Sequence, residues 1–110
     1  MDKDKMLKEI SANAFKKATG QVLRTINVLR QKYIKLDVAQ SSLENNGIPL
    51  DEFMDAVNYL MLEGYIQIRS IYTHKEADIA DVSYKDCEAR LSAKGIQLLA
   101  GEIDDGVVEV

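Results

Sequence analysis

The chain has one cysteine, one histidine and one proline in 110 residues, and no long apolar run. Cys87 has no partner within the chain, and with His74 as the one histidine no Cys/His metal cluster can be assembled. Apolar runs stop after a few residues, as in YLML at residues 59–62, which excludes a membrane-spanning helix. The opening MDKDKMLKEI interleaves charge where a secretory signal needs unbroken apolar residues, so a cytoplasmic protein without a membrane partner is expected. No acidic loop has the EF-hand spacing, and Gly20, Gly47, Gly64 and Gly95 are isolated, with no Walker-type spacing. No nucleophile stands beside a base. An enzyme is therefore not expected, nor is a cofactor.

What is present describes one globular domain. A chain of 110 residues, 46% of them apolar, should bury roughly 65% of its unfolded surface and needs no disulfide or metal to hold it. Net charge is −4, but its distribution says more than its sum. Residues 1–33 carry eight Lys/Arg against three Asp/Glu, a balance of +5; residues 34–65 carry Lys35 against six acids, a balance of −5. Any surface that meets a phosphate backbone is therefore restricted to part of the molecule.

Apolar positions Leu7, Ile10, Ala14, Ala18, Val22, Ile26, Leu29 and Tyr33 recur every three or four residues, the signal of an amphipathic helix. One helix of that length would measure about 40 Å, so a break is predicted at Thr19-Gly20, with Thr19 capping a second helix. Ile34-Lys35-Leu36 alternates as a brief strand or extended connection. Asp37 is placed to cap a helix over residues 38–45 that presents Val38, Ala39 and Leu43 to a core and stops at Asn45-Asn46-Gly47. Pro49 presets the first turn of the next helix, whose acids Asp51 and Glu52 suit its positive end, whose Phe53, Val57, Leu60 and Met61 mark a buried face, and which Gly64 ends.

Residues 65–73 alternate as a half-buried strand, Ile66 and Ile68 inward against Gln67 and Arg69 outward. HKEADIAD, residues 74–81, reads as a long hairpin tip. The return strand over residues 82–91 sets Cys87, Ala89 and Leu91 inward and Glu88 and Arg90 outward. Ser92 caps a last helix that packs through Ile96, Leu98 and Leu99, and residues 102–110 form an acidic tail expected to fray. On this reading Cys87 is a packed small hydrophobe, His74 a solvated surface residue, and Asp51, Glu52 and Asp55 an ordinary acidic first turn.

The order helix, helix-turn-helix, two-stranded hairpin, helix resembles that of a winged helix. Gly64-Tyr65-Ile66 looks like the junction between third helix and first wing strand in such domains, and Leu91-Ser92-Ala93-Lys94-Gly95 resembles the "leucine, threonine, any, lysine, glycine" run that opens their final helix. Together with DEFMDAVNYL at residues 51–60, these stretches are most similar to the YjcQ-like family of small bacterial and phage proteins, over about residues 22–101. Pro49 departs from that pattern, where a Ser/Thr cap is usual, and the N-terminal helix is longer than a minimal winged helix needs. The resemblance implies an α+β, mostly helical fold: an extra N-terminal helix over residues 1–20, a winged-helix domain with a two-stranded wing over 21–101, and a flexible tail over 102–110.

Two functions follow, from different classes. Winged-helix folds imply a small transcriptional regulator that inserts its second helix-turn-helix helix into the major groove of double-stranded DNA. That helix, however, exposes Asp51, Glu52, Asp55, Asn58 and Glu63, and no Lys or Arg lies between Lys35 and Arg69. Phosphate contacts are then expected from the flanks: Lys16, Lys17, Arg24 and Lys35 near the first helices, and Lys75 and Lys85 at the wing. The alternative is a protein-interaction module that kept the fold and does not bind DNA. A helix ahead of a complete core also suggests a homodimer, held through Leu7, Ile10, Ala14 and Phe15.

Overall fold

Residues 2–110 are described by a computed structural model; Met1, the first residue of the predicted extension, lies outside them. Four α-helices and a small antiparallel sheet make an α+β fold, about 54% helical with its 3-10 turns included. Helix α1 (Lys3–Ile26) leads through a 3-10 turn at Asn27–Leu29 to a two-residue strand, β1 (Ile34–Lys35). Helices α2 (Leu36–Glu44) and α3 (Leu50–Leu62) follow, then strands β2 (Ile66–Ser70) and β3 (Cys87–Leu91), and the short helix α4 (Ala93–Leu99). The strand order is β1-β3-β2, so the sheet has three strands where the hairpin alone predicts two.

The predicted break at Thr19-Gly20 does not occur, and α1 runs unbroken through it. Both residues are buried, because the C-terminal residues lie across them. Thr19 Oγ1 donates to the Lys16 carbonyl at 2.9 Å and to the Val107 carbonyl at 2.6 Å, while the Glu109 carbonyl rests directly on Gly20. The tail therefore does not fray as expected: Val108 is buried, Ile103 packs on the core, and Asp105 accepts hydrogen bonds from Tyr59 and Tyr65. With its end tied down by backbone and side-chain bonds, residues 102–110 belong to the body.

The core gathers Val22, Leu23 and Ile26 of α1, Leu36, Ala39 and Leu43 of α2, and Phe53, Ala56, Val57 and Leu60 of α3 against one sheet face. That face carries Ile34, Ile66, Ile68, Cys87, Ala89 and Leu91, as alternation predicts. Helix α2 starts two residues earlier than predicted, at Leu36, with Lys35 rather than Asp37 in the capping position; it buries Leu36, Ala39, Gln40 and Leu43, and Val38, expected inward, is exposed. Pro49 stands just before the first turn of α3 rather than inside it. Gly64, with φ of +78°, supplies the left-handed stop before β2. Ser92 caps α4 through Gly95 N–H, as predicted, but Ile96 is exposed and Leu98 carries the packing.

The connection from β2 to β3 is not a projecting tip. Ser70 N–H donates to the Lys75 carbonyl and His74 N–H to the Ser70 carbonyl, closing a tight turn. Glu76 and Ala77 then run back along the free edge of β2. This covers an edge that would otherwise present open hydrogen-bonding groups. The return strand starts at Cys87 rather than at residue 82, and a 3-10 turn at Tyr84–Asp86, packed against α2, stands just before it.

Candidate nucleic-acid interface

The outward side chains of the three strands are Lys35, Gln67, Arg69, Glu88 and Arg90, and Glu88 is their one carboxylate. Strand register makes two rows of them. Lys35 and Arg69 each pair with Glu88 from opposite neighbouring strands, and Gln67 pairs with Arg90. Arg69 Nε donates to Glu88 Oε1 at 2.7 Å and Arg90 Nε to Gln67 Oε1 at 3.1 Å. Tyr33, immediately before β1, holds both arginines: the Arg69 guanidinium lies 3.6 Å from its ring centroid and that of Arg90 4.9 Å. Such contacts contribute about 0.5–1 kcal/mol each at exposed sites. The described bonds of both arginines use Nε, leaving their terminal amino groups for an external acceptor.

Two open grooves flank this cluster. One, of about 470 Å³, is lined by Arg30, Gln31, Gln67, Arg90 and Ile96, which adds Arg30 from the turn after α1 to the cationic surface. The other, of about 830 Å³, runs past Tyr33, Arg69 and His74 to Glu76, Asp78 and Asp81, so its far wall is acidic. His74 Nε2 lies 3.9 Å from Glu88. Guanidinium forks held against an aromatic ring suit bidentate contact with phosphate oxygens.

The residues expected to contact phosphate are scattered. Lys35 belongs to the cluster, through its row with Glu88. Arg24 Nη1 donates to the Glu109 carbonyl at 2.8 Å and is thereby tied to the C-terminal segment; Lys16 is half-buried beside it, and Lys17 is exposed on the side of α1 away from the core. Lys75 sits in the tight turn at the end of β2 and Lys85 in the 3-10 turn against α2, two segments joined at one end of the hairpin by the bond from Ile71 N–H to the Asp86 carbonyl. Of the residues expected at a dimer interface, Leu7, Ile10 and Ala14 are exposed, whereas Phe15 packs edge-on to Tyr59 at 5.7 Å and belongs to the body.

Arg69, Arg90 and Tyr33 were missed as site residues. The alternation that set Gln67, Arg69, Glu88 and Arg90 outward was the available signal; their register was not readable from it. The exposed line of α3, by contrast, is Asp51, Asp55, Asn58 and Leu62. Cys87 is buried, and that burial, followed by the charge of Asp86, pushes its thiol pKa up, as suits a packed residue rather than a nucleophile. No group of three His, Cys, Asp or Glu able to hold a metal, and no helix long and apolar enough to cross a membrane, occurs among the described residues. No family model, curated protein or solved structure matches the chain.

Proposed function

We propose that this chain is a winged-helix protein that binds double-stranded DNA, as a small transcriptional regulator, through the outer face of its sheet and the turn before β1. The helix-turn-helix of α2 and α3, followed directly by the β2–β3 hairpin and a closing helix, supports the fold part of this reading. One observation carries the binding part: Lys35, Arg69 and Arg90 are set on one sheet face, two of them aligned by Tyr33, with Arg30 adjoining and a single carboxylate among them. Phosphate contacts position a protein on a duplex and carry most of the non-specific affinity.

Fluorescence anisotropy on a mixed-sequence duplex, repeated over a salt series, tests it. Lys35→Ala with Arg90→Ala should weaken binding and reduce the slope of log affinity against log salt by about 0.9 for each lost contact. Absence of binding at low salt would favour the second reading, a protein-interaction module. The cation-free surface of the α2–α3 pair, with exposed Val38 and Leu62, is the observation on its side.

A further inference from the structure

The first half of α1 stands clear of the body. Every residue from Asp2 to Ala14 is exposed, with Met6 at 45%, Leu7 at 61% and Ile10 at 57% of full exposure. The molecule measures 51 Å in its longest dimension against 30 and 24 Å in the others. Successive residues of a helix rotate by about 100°, and that rotation separates two faces of α1. Ala18, Thr19, Val22, Leu23 and Ile26 face the body. Lys3, Leu7, Ile10, Ala14 and Lys17 form a second line, roughly 130° round the helix from the first. The apolar arm is therefore not a continuation of the buried face, and its own body does not cover it. A lysine ends the line on either side, while Asp2, Asp4 and Glu9 lie off it.

The exposed line of α3 has the opposite charge. Asp51, Asp55, Asn58 and Leu62 follow at helical spacing, with Leu62 72% exposed. We propose that a second copy of this chain covers α3: each copy lays the Lys3, Leu7, Ile10, Ala14, Lys17 face of its arm across the acidic α3 face of the other, closing a twofold dimer. The self-complementary exchange is what a closed twofold assembly requires.

Area separates this arrangement from a pairing of two arms. An arm of residues 3–17 is about 22 Å long and about 10 Å wide, so one face laid on a surface buries roughly 300 Å² of it. Arm against arm buries roughly 600 Å² in total, half of the ~1,200 Å² at which specific interfaces begin. Two arms on two receiving surfaces reach roughly 1,200 Å². Leu62, the last residue of the receiving line, also borders the groove that Tyr33, Gln67 and Arg69 line, so the exchange reaches the margin of that groove.

Sedimentation equilibrium of the full chain up to high micromolar concentration tests the proposal, with the parent expected at twice the 12.3 kDa monomer. Lys3→Glu with Lys17→Glu on the arm, and Asp55→Lys with Asn58→Lys on α3, should each weaken self-association about tenfold or more by setting like charges together. An equimolar mixture of the two variants should return to dimer, because reversed arm then meets reversed helix and parent arm meets parent helix. That recovery also shows both variants to be folded. A parent that stays monomeric, an α3 variant that dimerises as well as the parent, or a mixture that fails to recover would overturn the proposal.

Discussion

The backbone carbonyl of Glu109 sits on Gly20 so closely that even a methyl group at Gly20 would overlap it. Glu109 N–H donates to the Lys16 carbonyl at 3.1 Å and Arg24 grips the Glu109 carbonyl, so Lys16, Gly20 and Arg24, four residues apart, form the track that the C-terminal segment crosses. A glycine inside a long helix, which propensity marks as a weak point, is here a docking notch.

This reverses the usual expectation for Gly20→Ala. Helix propensity alone would stabilise the variant by about 1 kcal/mol. Overlap with the Glu109 backbone should instead cost about 1–3 kcal/mol, as overpacking does. A thermal melt should show the variant less stable than the parent. In a chain ending at Gly101 the same substitution should become neutral or stabilising, and a melt of that pair checks the sign change.

The second tether has a pH signature. Tyr59 and Tyr65 hydroxyls each donate to Asp105 Oδ2 at 2.7 Å. Burial, followed by that hydrogen bond and the Asp105 charge, pushes the Tyr65 pKa up from 10.0 to about 12, and raises Tyr59 for the same reasons. The folded protein thus holds these protons more tightly than the unfolded chain does. The Tyr65 contribution is intact below pH 10.0 and is lost as pH rises to about 12. Urea unfolding of the parent should weaken over that window, and the difference between parent and Tyr65→Phe should shrink across it.

Asp105 responds on the acid side. Burial alone would raise its pKa, but the hydrogen bonds from Tyr65, Val107 N–H and Tyr59, with Lys94 nearby, hold it below its ordinary 3.8. Its contribution is therefore present above that value and is lost as pH falls through the folded one. Asp105→Asn should cost about 2 kcal/mol at neutral pH, the order of a hydrogen bond to a charged group, and should flatten the acid limb of a stability profile.

Gly64 should tolerate nothing branched. Its φ of +78° is open to glycine and strained for a β-branched residue, although no atom crowds the position. Gly64→Val should lower stability by about 1–2 kcal/mol, and a denaturant melt reads the loss.

If the sheet face meets DNA, Asp55 works against it. Asp55 lies on the exposed line of α3, and Asp55→Asn should leave duplex affinity unchanged or raise it by removing repulsion. A loss of affinity and of sequence preference in that variant would instead place α3 in the major groove, with the carboxylate accepting from a cytosine amine.

Local signals in the sequence determined the elements themselves. The spacing of Phe53, Val57 and Leu60, the alternation of Ile66 and Ile68 against Gln67 and Arg69, the Ser92 cap and the Gly64 stop each depend on near neighbours, and each is found where those neighbours put it. Boundaries were less legible, because a helix start such as that of α2 is settled by which residues the core accepts. What the tertiary structure alone decided are pairings between residues far apart in the chain. Period-two alternation tells which side a strand residue faces but not its partner, so the row of Lys35, Glu88 and Arg69 and the stacking on Tyr33 waited on register. The C-terminal segment reads as solvated by composition; it is ordered because Gly20, Thr19 and Arg24, more than eighty residues earlier, offer it a notch and partners for its backbone.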